Sequence, residues 1–194
     1  MHYEKFLRAT IFPELELGRP GWDKLHTPRV VAYAKKILDH TPNLPVNRDV
    51  LVIATYAHDW GYAGLFQNGS PLQIDDVISA KEFHMKIGAE KIQALLQNDV
   101  FDFLSQEQKR RIVHLVGVHD KLQVLTKPDE IILMEADTLG GLDPGKTKPS
   151  FDAASNARYM QRARDRRLPL FITEYGRAQF ELLYAKREAL YADN

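Results

Sequence analysis

The sequence contains no cysteine, and this absence excludes three kinds of chemistry at once. A disulfide framework, a thiolate metal site and a cysteine nucleophile all require that residue. The absence fits a reducing compartment, so we expect a cytoplasmic protein. If the chain binds a transition metal, we expect the ligands to be imidazole nitrogens and carboxylate oxygens.

The chain also lacks an excess of charge and a long apolar run. Its 26 basic residues balance its 26 acidic residues, so no long-range field favours a nucleic-acid polymer or an anionic membrane as the partner. No stretch approaches the ~20 apolar residues of a membrane span, and the first residues carry charges instead of an apolar signal sequence. We expect a soluble, intracellular protein whose partner is a small molecule.

Helical periodicity dominates from His26 onward, and no run shows the alternation of a β-strand. The 194 residues suffice for one domain with a full core. The pattern therefore predicts an all-α fold, a single-domain helical bundle. Helices are expected over residues 23–39, 48–58, 75–97, 105–121, 128–139, 151–166 and 173–191.

The organisation along the chain follows from these helices. Residues 1–22 carry prolines and glycines and are expected to form an N-terminal extension, followed by a helical domain over residues 23–194. Within that domain, residues 151–194 are expected to form the closing helices. The pattern "SQEQ" from Ser105 to Gln108 is typical of a capping box and predicts the start of the fourth helix.

Six ionisable residues fall on or beside the apolar faces of five predicted helices. Positions three, four and seven apart share a helix face, and on this basis each side chain points towards the interior. The residues are His26, His58, Asp59, His84, His119 and Asp137.

These buried acids need a partner. Asp59 and Asp137 have no arginine or lysine on the same helix faces, and an unpaired buried carboxylate costs roughly several kcal/mol. A divalent cation resolves the problem, because its binding free energy, on the order of ~10 kcal/mol, offsets the desolvation. Imidazole and carboxylate are ligands that such metals accept.

The ordered pattern resembles the HD-domain metal-dependent phosphohydrolase superfamily. It is carried by "LHTPRVVAYA", "YAHDWGY", "FHMKIGAEKI", "IVHLVGVHD" and "LMEADTLGG", within about residues 26–142. The resemblance implies a helical fold with the His58–Asp59 doublet at its centre. It implies one or two divalent transition metals per chain, Fe, Mn, Ni or Zn.

The resemblance also implies the ligand set. One metal would be held by His26, His58, Asp59 and Asp137, and Asp59 would bridge to a second metal. His84 and His119 would complete the second site.

The resemblance implies a phosphatase or phosphodiesterase that uses a metal-activated water on a small phosphorylated molecule of the nucleotide class, with His58 and Asp59 as the catalytic pair. No protein nucleophile is needed, and the sequence has neither a G-x-S-x-G elbow nor a P-loop. Two alternatives stay open. One is a mixed-valent diiron oxygenase of the same superfamily with the same six ligands, and the other is a non-enzymatic helical binding module.

Two details depart from the simplest pattern. The doublet occurs again at His119–Asp120, where we expect Asp120 to be solvated beside a helix end. Tyr62 stands where many family members have a lysine. The candidate substrate contacts are Tyr62, Lys121, Arg158 and Arg162. Further candidate cations are Lys81, Arg166 and Arg167. The remaining histidines, His2, His40 and His114, are interpreted as structural or surface residues.

Overall fold

The computed structural model describes residues 2–66, 73–145 and 151–192. Within these ranges the chain folds into eight α-helices joined by short turns, with no β-sheet. The prediction of an all-α fold is therefore confirmed. None of the described helices combines the length and the apolar character needed to cross a bilayer.

The helices follow one another along the chain as α1 (His2–Leu15), α2 (Asp23–His40), α3 (Arg48–Ala57), α4 (Ile74–Leu95), α5 (Gln106–Val118), α6 (Pro128–Leu142), α7 (Ala153–Arg162) and α8 (Glu174–Ala192). Helices α2 to α8 correspond to the seven predicted from periodicity. The capping box forms as expected, with Ser105 as the N-cap of α5 and Gln108 bonding back to it. A π-helical turn over Ala163–Arg167 continues α7.

Helix α1 is not predicted by the periodicity that begins at His26. It buries one stripe of residues spaced four apart, Tyr3, Leu7, Ile11 and Leu15, and these residues belong to the main hydrophobic core. Pro13 lies in its last turns, where it removes a backbone donor without preventing the helix. The division into residues 1–22 and 23–194 stays a prediction, while α1 itself packs on the core.

Helix α3 lies at the centre of the bundle. Every residue from Val50 to Ala57 is buried, as expected for a helix that is apolar on all sides. Helices α1, α2, α5 and α6 surround it, and each large apolar side chain that it buries contributes roughly 1.5–3 kcal/mol. The residues that follow its last turn, His58 and Asp59, therefore begin in the interior.

A close contact between two backbones positions the turn after α3. Helix α4 packs against α5 and against the short 3-10 turn Trp60–Tyr62. A Cβ atom on Gly61 would lie 1.9 Å from the carbonyl oxygen of His84 and 2.6 Å from the backbone nitrogen of Gly88. Only glycine fits at position 61, and the His58–Asp59 turn is thereby held against His84.

The C-terminal helix is fastened to α6 by a buried acid. The Glu135 carboxylate accepts hydrogen bonds from the backbone nitrogens of Ile172 and Thr173 and from the Thr173 hydroxyl. These donors precede the first turn of α8, where a negative charge is favourable. The contact fixes α8 on α6 and with it the π-helical turn that precedes α8 in the chain.

Candidate metal centre

Four imidazoles and two carboxylates meet at the centre of the bundle. They form two groups, and within each group one ligand atom from every residue lies within 4.8 Å of the others. The first group is His26, His58, Asp59 and Asp137, and the second is Asp59, His84 and His119. The structure thus brings together all six residues that the sequence pattern singles out, although they span more than a hundred positions.

The first group is compact. The His26 Nε2 atom lies 2.9 Å from Asp137 Oδ1 and 3.3 Å from His58 Nε2. Asp59 Oδ2 lies 3.1 Å from His58 Nε2 and 3.4 Å from His26 Nε2. All four ligand atoms therefore converge on one point.

The second group uses the other oxygen of Asp59. Asp59 Oδ1 lies 3.7 Å from the Nε2 atoms of both His84 and His119, and those two nitrogens are 3.3 Å apart. One carboxylate thus presents Oδ2 to the first group and Oδ1 to the second. The Oδ2 atom also accepts a hydrogen bond from Arg19.

Helix ends determine which imidazole nitrogens face the centre. His58 and His119 follow the last turns of α3 and α5, and their Nδ1 atoms lie 2.8 and 2.9 Å from the carbonyl oxygens of Thr55 and Val116. Such carbonyls lack a helical partner, so they hold the proton on Nδ1. His84 makes a longer contact of the same kind, 3.3 Å to the Ala80 carbonyl.

These contacts direct the Nε2 atoms of His58, His84 and His119 inward, where they need a shared partner, while His26 Nδ1 has no hydrogen-bond partner among the described residues. In each group two Nε2 atoms lie 3.3 Å apart, and two lone pairs at that distance repel each other unless a proton or a cation lies between them. Nitrogen and oxygen ligands of this kind suit divalent transition metals. The carbonyl contacts are the outer partners that metal-bound histidines usually have. The donor set therefore fits one or two divalent cations.

The titration behaviour of the two groups differs. Burial by itself would lower the pKa of His58, but the Asp59 and Asp137 carboxylates outweigh it and raise this pKa to about 10. Burial lowers the pKa of His84 to about 3, and the neighbouring His119 adds to the effect. The first group thus attracts positive charge strongly, because its carboxylates are ionised at neutral pH.

Arg19 binds the central carboxylate. Its guanidinium donates to Asp23 Oδ1 at 2.7 Å and also to Asp59 Oδ2, and it lies over the ring of Tyr62 at 4.3 Å. Burial alone would raise the pKa of Asp59, but the Arg19 and His58 charges outweigh it and hold this pKa well below its usual range. The helix face of Asp59 carries no arginine or lysine, as the sequence indicates, but a cationic partner comes from the segment before α2, so the carboxylate is not unpaired.

Arg167 binds the carboxylate of Asp137 in the same way. It donates to Asp137 Oδ2 at 2.8 Å, to the Thr138 hydroxyl at 3.1 Å and to Asp120. Asp120 also pairs with Lys81 at 2.9 Å, and its side chain is only 8% exposed. Asp137 is thus paired by a residue outside its own helix face, and the expectation that Asp120 is solvated is wrong. Each partner comes from a distant segment that helical spacing does not reveal.

A cavity of about 80 Å³ opens onto the metal centre, and Asp59, Asp137 and His26 form part of its wall. One side is aromatic: the rings of Trp22 and Phe151 lie 5.7 Å apart, and that of Tyr159 is 5.6 Å from Phe151. Apolar side chains of α4 continue this wall. Cations line the cavity as well, so it offers both an apolar and a cationic surface.

The candidate substrate contacts separate into two pairs. Tyr62 and Arg162 line the cavity, and Tyr62 is buried with its ring stacked on His84 at 3.9 Å. Lys121 is exposed and outside the lining residues. Arg158 is also outside them, and it pairs with Asp75 at 2.9 Å on the surface. The side chains of Arg19 and Asp120, which line the cavity, were not proposed from the sequence.

The remaining histidines lie away from the centre. His2, His40 and His114 are all exposed, and the His114 Nε2 atom lies 2.9 Å from Glu130 Oε1. Their interpretation as structural or surface residues is therefore confirmed. The metal-centre histidines differ from them because every one is buried.

Comparison with known proteins agrees with this geometry. The family model described as HD domain matches residues 25–141, more than half of the chain. No curated protein and no solved structure matches the chain. The matched range begins just before His26 and ends just after Asp137, so it contains all six residues of the candidate metal centre. The chain belongs to the HD-domain family, of the metal-dependent phosphohydrolase superfamily.

Proposed function

We propose that this protein is a metal-dependent phosphohydrolase, a phosphatase or phosphodiesterase, acting on a small phosphorylated molecule of the nucleotide class. The observation that carries the proposal is the position of Asp59. Its two oxygens face two separate groups of imidazoles, beside a cavity that cations line.

The residues that would hold metal follow from this arrangement. One cation would be bound by His26, His58, Asp59 and Asp137, and a second by Asp59, His84 and His119. When bound, divalent metals supply an activated water and neutralise charge on phosphoryl oxygens.

The protein's own contribution is to position the ligands and the substrate. Arg19 holds Asp59, and Arg167 holds Asp137, so each carboxylate keeps one oxygen in a fixed direction. Hydrogen bonds of this kind orient metal ligands and tune the centre. Loss of either arginine would leave its carboxylate free to rotate, so both are positioning residues.

The cavity favours a compact substrate with an anionic part and a planar part. Its cations attract phosphate, and its aromatic wall, Trp22, Phe151 and Tyr159, offers ring surface on which a nucleobase can stack. The balanced charge of the whole chain agrees with a small-molecule substrate.

The test combines metal analysis with phosphate detection. Purified protein is analysed for bound Fe, Mn, Ni and Zn, and nucleotides and simple phosphoesters are screened with Mn- and Fe-loaded protein, with and without oxygen. We expect metal-dependent phosphate release that is indifferent to oxygen. Turnover that requires oxygen and releases no phosphate would instead support the diiron oxygenase.

Variants separate the two groups of ligands. Asp59→Asn should abolish turnover and metal binding, whereas His84→Gln should lower the occupancy to about one metal per chain, because only the second group contains His84. The matched control is Asp75→Asn, whose partner Arg158 lies on the surface. Equal metal content in Asp59→Asn and in the control would refute the proposal.

A further inference from the structure

Five cationic side chains line the cavity, but the described residues neutralise only some of them. Arg19, Lys81 and Arg167 form ion pairs with aspartates of the metal centre and its rim. Arg162 and Arg166 form no ion pair within residues 2–66, 73–145 and 151–192. The wall of the cavity therefore holds two guanidinium groups that have no ion-pair partner among these residues.

These two groups lie close together. Arg162 ends α7 and Arg166 lies in the π-helical turn that follows, four positions further along. Like charges at this spacing destabilise a helix by roughly 0.2–0.5 kcal/mol. Burial lowers the pKa of Arg162, and the charges of Arg166 and Arg158 add to the effect. The fold thus keeps the two side chains together despite their repulsion.

Neighbouring arginines on the same stretch are neutralised. Arg158 pairs with Asp75 and Arg164 pairs with Glu181, each at 2.9 Å. Both lie outside the lining of the cavity. Along this stretch, Arg158 and Arg164 have acidic partners outside the cavity and Arg167 has two in the cavity wall, whereas Arg162 and Arg166 have none among the described residues.

The exposure of the two side chains places the pair relative to the metal centre, which opens onto the same cavity. Arg166 lines the cavity but is exposed, and Arg162 is half-buried. The pair therefore lies between the interior and solvent, where the remainder of a substrate would emerge.

We propose that Arg162 and Arg166 form a second anion subsite, and that the substrate carries a second phosphoryl group beside the one at the metal centre. Guanidinium groups bind phosphate oxygens through paired hydrogen bonds, and metal held by the six residues of the centre would neutralise the first group. This inference rests on the proposed function. It narrows the substrate class to compounds with two or more phosphoryl groups.

The test uses two probes that differ by one phosphonate. Methylenediphosphonate and methylphosphonate have carbon links that a phosphohydrolase does not cleave, and their affinities for Mn-loaded protein are measured by calorimetry. The variants are Arg162→Gln and Arg166→Gln. The control is Arg164→Gln, which removes the same charge from the same turn outside the cavity.

Each of the two variants should weaken methylenediphosphonate binding about tenfold or more, the effect of losing a hydrogen bond to a charged group. Methylphosphonate binding should weaken much less, and the control should match the unmodified protein for both probes. Equal losses for both probes, or no loss for either, would overturn the subsite. Metal content and phosphate release from a simple aryl phosphate by the unmodified protein test the proposed function separately, so the two failures are distinguishable.

Discussion

The clearest test of the electrostatic argument is replacement of Arg19 by methionine. Methionine keeps most of the apolar length of the side chain but removes the guanidinium that binds Asp23 and Asp59. Both carboxylates are buried, so the change leaves Asp23 without its cationic partner and Asp59 with His58 as its remaining one. Removal of one partner of a buried ion pair costs about 3–5 kcal/mol. For a domain of this size about 2–4 °C is lost per kcal/mol, so the melting temperature should fall by about 6–20 °C.

The control is Arg48→Met, which removes an arginine from an ion pair with Asp39 whose two side chains are 41% and 58% exposed. Exposed pairs contribute about 0–1 kcal/mol, so this variant should melt close to the unmodified protein. Arg19→Lys should fall between the two, because lysine keeps the charge but loses the planar fork.

The assay is thermal unfolding followed by circular dichroism, in chelator and then with Mn²⁺. With metal bound, the deficit of Arg19→Met should narrow, because the cation takes over neutralisation of Asp59 while Asp23 stays unpaired. If Arg19→Met melts within a degree or two of Arg48→Met in chelator, the reasoning about buried charge is refuted.

Three further predictions follow from other parts of the structure. Chelation should lower the melting temperature of metal-loaded protein, because a ligand at 1,000 times its Kd stabilises the folded state by about 4 kcal/mol; an unchanged melt in differential scanning fluorimetry would show that the six residues have other partners. Gly61→Ala should destabilise the protein strongly and lower metal content, since its Cβ would clash with the backbone of α4, whereas Gly117→Ala should not, since the nearest atom is 3.7 Å away. Burial would raise the pKa of Glu130, but hydrogen bonds from the Lys127 and Thr126 backbone outweigh it and lower this pKa to about 2 from 4.5. The stability advantage of the protein over Glu130→Gln should therefore be full above pH 4.5 and shrink as the pH falls towards 2, which urea unfolding at several pH values can measure.

Much of the fold was predictable because local rules agree with the tertiary structure. Apolar spacing predicted seven helices, and the Ser105 capping box marked the start of α5 as observed. Helix α1 was not predicted, because Pro13 and the glycines and prolines that follow it are typical of a segment without a helix. Its buried stripe is nonetheless visible in the spacing of Tyr3, Leu7, Ile11 and Leu15.

The residues of the candidate centre were predictable for a different reason. A histidine on an apolar helix face stands out, and four of them in a fixed order with two aspartates match a known family pattern. The charged side chains that surround these residues were not predicted. Arg19 lies 40 positions from Asp59 and Arg167 lies 30 positions from Asp137, so no helical spacing connects them.

The sequence alone therefore determined the helical class, seven of the helices, the absence of cysteine chemistry and the six residues of the candidate centre. Each of these depends on residue type or on spacing within one helix. Only the tertiary structure decided that Asp120 is ion-paired with Lys81 and Arg167, and that Arg19 and Arg167 neutralise the central acids. Those facts depend on which segments pack together, and packing brings together charges that are far apart in the chain.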